Sequence, residues 1–275
     1  MKINAKQILK VCITLIMMLF VLFPFYIAVA TAFKTPLETA QSVLAWPSRL
    51  RFENFVTAMK VSNFARAMLN SVITTFPGVV LIVLLASMNG YTIARNYHIR
   101  LFKGLEKMYL SALMLPFQIL MIPIYKIFKT LNLMNSLVGD MCILVGTSIA
   151  YSTFLYIGFV KSVPRELEEA AKIDGSGPYR TFMLIVFPLL KPITATIAAL
   201  HVMWLWNDFN IAITLLQKES VRTLTVKQFY FFGQYNINYN DAFAAAILSM
   251  LPILVFFIFA QKYLVSGIAA GAVKG

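Results

Sequence analysis

From residue 11 to residue 33 the chain runs for 23 residues without a charged side chain, and it does so five more times at comparable length. The further runs are 67–94, 108–125, 141–160, 192–207 and 242–260, of 28, 18, 20, 16 and 19 residues. About 20 apolar residues in a helix cross the hydrocarbon core of a bilayer. No water reaches backbone N–H and C=O groups there, so each crossing segment must satisfy its own as a helix. Pro188, Leu189 and Leu190 carry the shortest run past Lys191. The pattern predicts an all-α, polytopic membrane protein with six transmembrane helices, at about 11–33, 69–93, 108–128, 138–160, 188–207 and 242–262.

Composition supports a lipid-solvated chain over a soluble one. Hydrophobic residues make up 60% and charged residues 13%, against roughly 45–50% and 25% in soluble proteins. No internal repeat or low-complexity stretch divides the sequence, so one transmembrane domain over 1–275 is expected. Lys2, Lys6 and Lys10 ahead of the first run, with Ala28-Val29-Ala30 behind it, also resemble a cleavable leader. The run exceeds the roughly 7–15 apolar residues of such a leader, so it is read as a retained helix.

The net charge of +13 comes from 24 Lys and Arg against 11 Asp and Glu. In a soluble domain this balance would point to nucleic acid. Here the basic residues flank apolar runs, where they anchor helices and set topology, and no nucleic-acid partner is expected. With the amino terminus in the cytoplasm, 14 of the 24 fall on the cytoplasmic side, and both termini are cytoplasmic. Cys12 and Cys142 lie inside apolar runs with no CxxC or His cluster, which reads as two inert thiols and no metal site.

One polar connection carries a dense set of signals. Residues 164–192 read PRELEEAAKIDGSGPYRTFMLIVFPLLKP. Pro164 suits a first helical turn, where its missing N–H is no loss. Glu166, Glu168 and Glu169 favour the positive end of the helix dipole, and Lys172 the negative end. Asp174-Gly175 stops the helix, and Ser176, Gly177 and Pro178 make a turn. A short helix over 164–173 follows, with Leu167, Ala170 and Ala171 on one face at i, i+3, i+4 spacing.

These residues resemble the EAA loop of ABC-importer permeases. The family's pattern of Glu-Ala-Ala, a Gly four residues after the second Ala, and Ile-x-x-Pro further on is matched by Glu169-Ala170-Ala171, Gly175, and Ile185 with Pro188. Trp206-Asn207-Asp208-Phe209 and Thr223-Leu224 are similar to the end of helix five and the next loop of carbohydrate-importer permeases. Gln261-Lys262-Tyr263, Gly267 and the closing 270–275 are similar to their carboxyl tail, and Asn70-Ser71, Leu115-Pro116 and Pro123 also fit. The likeness is greatest to the smaller permease of maltose-type importers.

The resemblance implies a type I ABC importer permease fold and location in the bacterial inner membrane. It implies a coupling loop at 161–188, in which Glu168, Glu169, Ala170, Ala171, Asp174, Gly175 and Pro188 engage an ATPase. Its implied partners are a second permease subunit, two ATPase subunits, an extracytoplasmic solute-binding protein and a sugar substrate. ATP and Mg would then reside on the ATPase, with no cofactor in this chain. No GxxxxGK[ST] occurs in the sequence, and no Ser/His/Asp or paired-carboxylate arrangement suggests an enzyme. Docking of the binding protein is expected on the loops 34–66 and 208–241.

Candidates for a solute pathway are Asn70, Asn89, Gln118, Trp206 and Asn207, because amides hydrogen-bond sugar hydroxyls and aromatic faces stack on sugar rings. Each amide reads equally as interhelical glue. His201, an intramembrane ionisable group, is a functional candidate by position and otherwise a hydrogen-bonded structural residue. Two alternatives remain: a permease of the same class for an amino acid or peptide, or an ion-coupled secondary transporter using His201, Lys126, Asp140 or Lys191.

Overall fold

The computed structural model of the chain describes residues 5–232 and 238–272. Lys2 and, in the expected tail, Val273, Lys274 and Gly275 lie outside the described residues. All regular secondary structure among the described residues is helical, with no strand among them. Contacts cluster into two compact units. One comprises Met1–Ala65 and Lys227–Pro252, the other Arg66–Val226 and Ile253–Gly275.

In the first unit, α1 (Ala5–Ala32) is apolar around its whole circumference, and none of its most apolar 18-residue window is buried. A helix of that kind is stable only in an apolar solvent or against other apolar chains. α2 (Pro36–Gln41) opens on a capping box. The Glu38 amide donates to Thr35 Oγ1 at 3.2 Å, and the Thr35 amide donates to Glu38 Oε2 at 2.8 Å. Lys34, 1% exposed, sends its Nζ to the carbonyls of Ser42 and Val43, both at 2.9 Å. A cation thereby meets carbonyls at and just past the end of α2. From α3 (Glu53–Ser62), Asn54 Nδ2 donates to the carbonyls of Ala32 and Lys34 at 2.8 Å each, which satisfies the end of α1. Small side chains, Ala32, Ala58, Ala244 and Ala245, form this unit's core with Phe55, Phe231 and Phe243.

In the second unit, α4 (Phe64–Arg95) and α7 (Leu137–Val160) are long and apolar enough to cross a membrane. So are α1 and the last helix, Tyr239–Ala272, which makes four such helices among the described residues. Two bent pairs raise the number to six if each pair is one span. The third apolar run, expected as one helix over 108–128, is instead α5 (Arg100–Leu113) and α6 (Phe117–Thr130), bent by 103°. Pro116 explains the break, since the residue before a proline is driven from helical dihedrals and Leu115 stands there.

The fifth run departs from expectation for a similar reason. The expected 188–207 span is reduced to α11 (Lys191–Trp206), which bends by 78° from the arm Pro178–Leu189. Pro192 has no N–H for the carbonyl four residues earlier, and its ring crowds that carbonyl. The arm consists of α9 (Pro178–Thr181), a wide π turn at Phe182–Val186, and α10 (Phe187–Leu189). Before it lies α8 (Glu166–Ile173), which starts two residues later than the 164–173 helix expected. The unit's largest core packs Ile93 and Ala86 of α4 with Tyr156, Ile157 and Val160 of α7, and with Phe182, Val186, Ile193 and Ile197.

Candidate functional site

α8 has eight residues, fewer than the roughly 12–15 needed for a helix to hold itself in water. Two devices hold it. At its end, Gly175 adopts φ +79°, the left-handed conformation that glycine takes without penalty. The Gly175 amide donates to Lys172 O at 3.0 Å, and the Ser176 amide to Ala171 O at 2.9 Å. That pair of bonds is a Schellman cap, which satisfies two orphan carbonyls of the helix.

The second device is a buried ion pair 73 residues apart in sequence. Glu168 is turned inward, and its side chain is 7% exposed beside Arg95, at 12%. Arg95 Nε donates to Glu168 Oε1 at 2.7 Å, and its Nη2 lies 2.6 Å from the same oxygen. Nη2 also donates to Val163 O at 2.9 Å, just before α8. Tyr91 OH donates to the other carboxylate oxygen, Oε2, at 2.8 Å. Both oxygens of a desolvated carboxylate are therefore satisfied, the condition under which a buried charge is tolerable.

With Glu168 and Ala171 buried, the opposite side of α8 is left open to solvent. Glu169, Ala170, Lys172 and Asp174 are exposed there, as are Gly175 and, on the arm, Pro188. A cleft of about 550 Å³ runs beside the helix, lined by Tyr91, Arg95, His98, Arg165, Glu168, Glu169, Lys172 and Thr181. The structure thus brings Glu168 to Ala171 and Asp174-Gly175 onto one short element, with Pro188 on the arm after the π turn.

The pathway candidates are scattered by comparison. Asn70 is buried, and its Nδ2 donates to the carbonyls of Ser220 and Arg222 at 3.1 and 3.0 Å. Ser71 Oγ next to it accepts the Leu224 amide at 3.0 Å. This pair holds a loop. Asn89 Nδ2 reaches Tyr109 OH at 3.4 Å. Gln118 is exposed on the first turn of α6, and Asn207 is exposed with its Nδ2 on Met203 O at 2.8 Å. Trp206 is buried at 5% exposure.

His201 is fully buried, with Nε2 2.6 Å from Ser152 Oγ and the rings of Tyr151 and Trp204 around it. One ring nitrogen is thus hydrogen-bonded, while Nδ1 is buried without a hydrogen-bond partner. Asp208, past the end of α11, accepts the Ala212 amide at 3.0 Å, yet burial pushes its carboxyl above the usual range. Sequence reasoning counted Arg95 only as a basic flank and passed over Tyr91. A charge ending an apolar run carries no sign of which carboxylate it will meet.

Residues 78–270 match the family model described as "binding-protein-dependent transport system inner membrane component". The chain is 36% identical over 253 residues to the melibiose/raffinose/stachyose import permease protein MelC of Bacillus subtilis, covering 92% of this chain and 91% of that protein. It is 33% identical over 273 residues to AmyC of Thermoanaerobacterium thermosulfurigenes, a probable starch degradation products transport system permease protein, covering 99% of both. In fold it is similar to a chain of a bacterial ABC transporter involved in the import of the acidic polysaccharide alginate, at TM-score 0.81 and 20% identity, covering 96% of this chain and 99% of that one.

Proposed function

Because this chain belongs to the family of binding-protein-dependent transport system inner membrane components, we infer that it is a permease subunit of a bacterial ABC importer for a sugar or oligosaccharide. It is a multi-pass protein of the inner membrane. It crosses the bilayer six times, each bent pair counting as one crossing, with both termini in the cytoplasm. Residues 1–275 act as one transmembrane permease. A second permease completes the pathway. Two ATPase subunits carry ATP and Mg, and a solute-binding protein delivers substrate from outside to the loops 34–66 and 208–241.

The observation that carries this reading is α8. Its Glu169-Ala170 face and its Gly175 cap are exposed, while Glu168 ties it inward. An element that is short, stiffly anchored and open on one side suits a partner's cleft, and it connects through the arm to α11. Coupling by Glu168, Glu169, Ala170, Ala171, Asp174, Gly175 and Pro188 is proposed on that footing. Asn89, Gln118, Trp206 and Asn207 remain the pathway candidates, and Asn70 acts through the loop it holds. MelC is a melibiose/raffinose/stachyose import permease and AmyC a probable permease for starch degradation products, which supports the sugar class.

Reconstitution tests the reading. Liposomes holding this chain alone should move no sugar. Liposomes that also hold a partner permease and ATPase subunits should take up oligosaccharide when ATP is inside and loaded binding protein outside. Uptake by the isolated chain would instead identify a self-contained carrier.

A further inference from the structure

We propose that Arg95 and Tyr91, in the last turns of α4, are positioning residues that clamp α8 to α4, so that the two move as one body through the transport cycle. The proposal deepens the importer reading and rests on it. The end of α8 is closed by its own cap, but its first turns are held from outside. Arg95 grips the loop on both sides of the α8 start, through Val163 O and through the Glu168 carboxylate. Tyr91, one turn earlier on α4, fixes the second carboxylate oxygen and so the rotation of α8 about its axis.

Tyr91 has a further contact. Its ring packs on that of Phe182 with centroids 5.1 Å apart, at the first residue of the π turn. Phe182 is 3% exposed. One residue of α4 therefore touches both the lever helix and the arm that leads to α11. Glu168 is consequently assigned inward work, holding the lever, while its neighbour Glu169 is left to meet a partner. Force applied to the exposed face of α8 would pass to α4 through charge-assisted bonds between largely buried side chains.

The test uses the complete importer in lipid nanodiscs, with Cys12 and Cys142 of this chain replaced by serine. Spin labels are placed at Glu166→Cys on α8 and His98→Cys beyond α4. The clamp predicts one interlabel distance in both the nucleotide-free and the ATP-bound complex. In the conservative double variant Tyr91→Phe with Arg95→Lys, which keeps the charge but loses the Nε and Nη2 bonds to Glu168 and Val163, the distance should broaden or differ between the two states. In the same variant ATPase subunits should still co-purify, while transport per ATP hydrolysed falls about tenfold, as loss of a charge-assisted bond predicts. A label distance that changes between states in the otherwise native chain overturns the clamp, as does unchanged transport per ATP in the double variant. Absence of ATPase subunits from the native complex would be a different failure, and it would remove the importer reading together with the clamp.

Discussion

Gly90 of α4 faces Tyr156 of α7 so closely that a β-carbon on the glycine would stand 2.5 Å from the tyrosine's own. It would also stand 3.1 Å from the backbone nitrogen of Ile157, so no side-chain rotation relieves the clash. Small residues at helix contacts in lipid let backbones approach, and packing substitutes there for the hydrophobic drive available in water. Gly90→Ala should therefore push α4 from α7 and lower stability by about 1–3 kcal/mol, the usual range for overpacking. Gly104→Ala on α5 is the control, since nothing lies within 4 Å of its added carbon. Thermal midpoints of the two purified variants should separate, with Gly104→Ala at or above the parent.

Asn70 supplies a second expectation, because its amide is occupied by the carbonyls of Ser220 and Arg222. Asn70→Ala should loosen the loop around 218–226 and cost about 1–3 kcal/mol for the Arg222 carbonyl left without this donor, while the Ser220 carbonyl keeps Arg66 Nε at 2.8 Å. Limited proteolysis at Lys218 or Arg222 should speed up markedly. Asn207→Ala, whose amide only returns to Met203 of its own helix, should leave that rate unchanged. Equal protection of the loop in both variants would show that the loop holds without Asn70.

A pH dependence follows from Glu38. Hydrogen bonds from the Ser48 side chain, the Thr35 amide and the Ser48 amide push its carboxyl down to about 2, from an ordinary 4.5. A folded pKa below the unfolded one means that the charged form is favoured by folding. The contribution is whole above pH 4.5 and is lost as pH falls toward about 2. Protection factors at the Ser48 and Thr35 amides, taken against the intrinsic exchange rate at each pH, should fall across that window in the parent. In Glu38→Gln they should already be low at neutral pH and show no step.

Much of this architecture is legible in hydropathy and little of it in pairwise detail. The 141–160 run lies within one straight helix, α7, because nothing in it interrupts the helical bonds. The 108–125 run hides the 103° bend, because a bent segment in lipid must be as apolar as a straight one. Pro116 marks the break, yet Pro24, Pro77, Pro123 and Pro252 sit inside helices that continue. Proline alone therefore does not distinguish the two outcomes. The stop of α8 at Asp174-Gly175 reads well, since its cap is local chemistry, while the start, which has no side-chain cap, falls two residues later than expected. The Arg95–Glu168 pair does not, since charge partners 73 residues apart leave no local trace. The same holds for Asn70, whose polar amide suggests a pore as readily as a loop anchor.

Gly175 allows backbone and surface effects at α8 to be told apart. Its φ of +79° strains any residue with a β-carbon, but nothing within 4 Å would meet that carbon. Gly175→Ala thus tests the backbone alone, at roughly 1–2 kcal/mol for an L-residue held left-handed. Gly175→Asn should do better, because asparagine tolerates that region through its short polar side chain. Gly175→Glu adds a long anionic side chain to the exposed surface, and Glu169→Lys reverses a charge on it. These last two should insert in the membrane normally, lose uptake, and release ATPase subunits during purification. Uptake should fall in the order Asn, Ala, Glu. If alanine were as damaging as glutamate, the cap geometry would be the whole requirement. If both charge-altering variants transported normally, the exposed face of α8 would have no part in coupling.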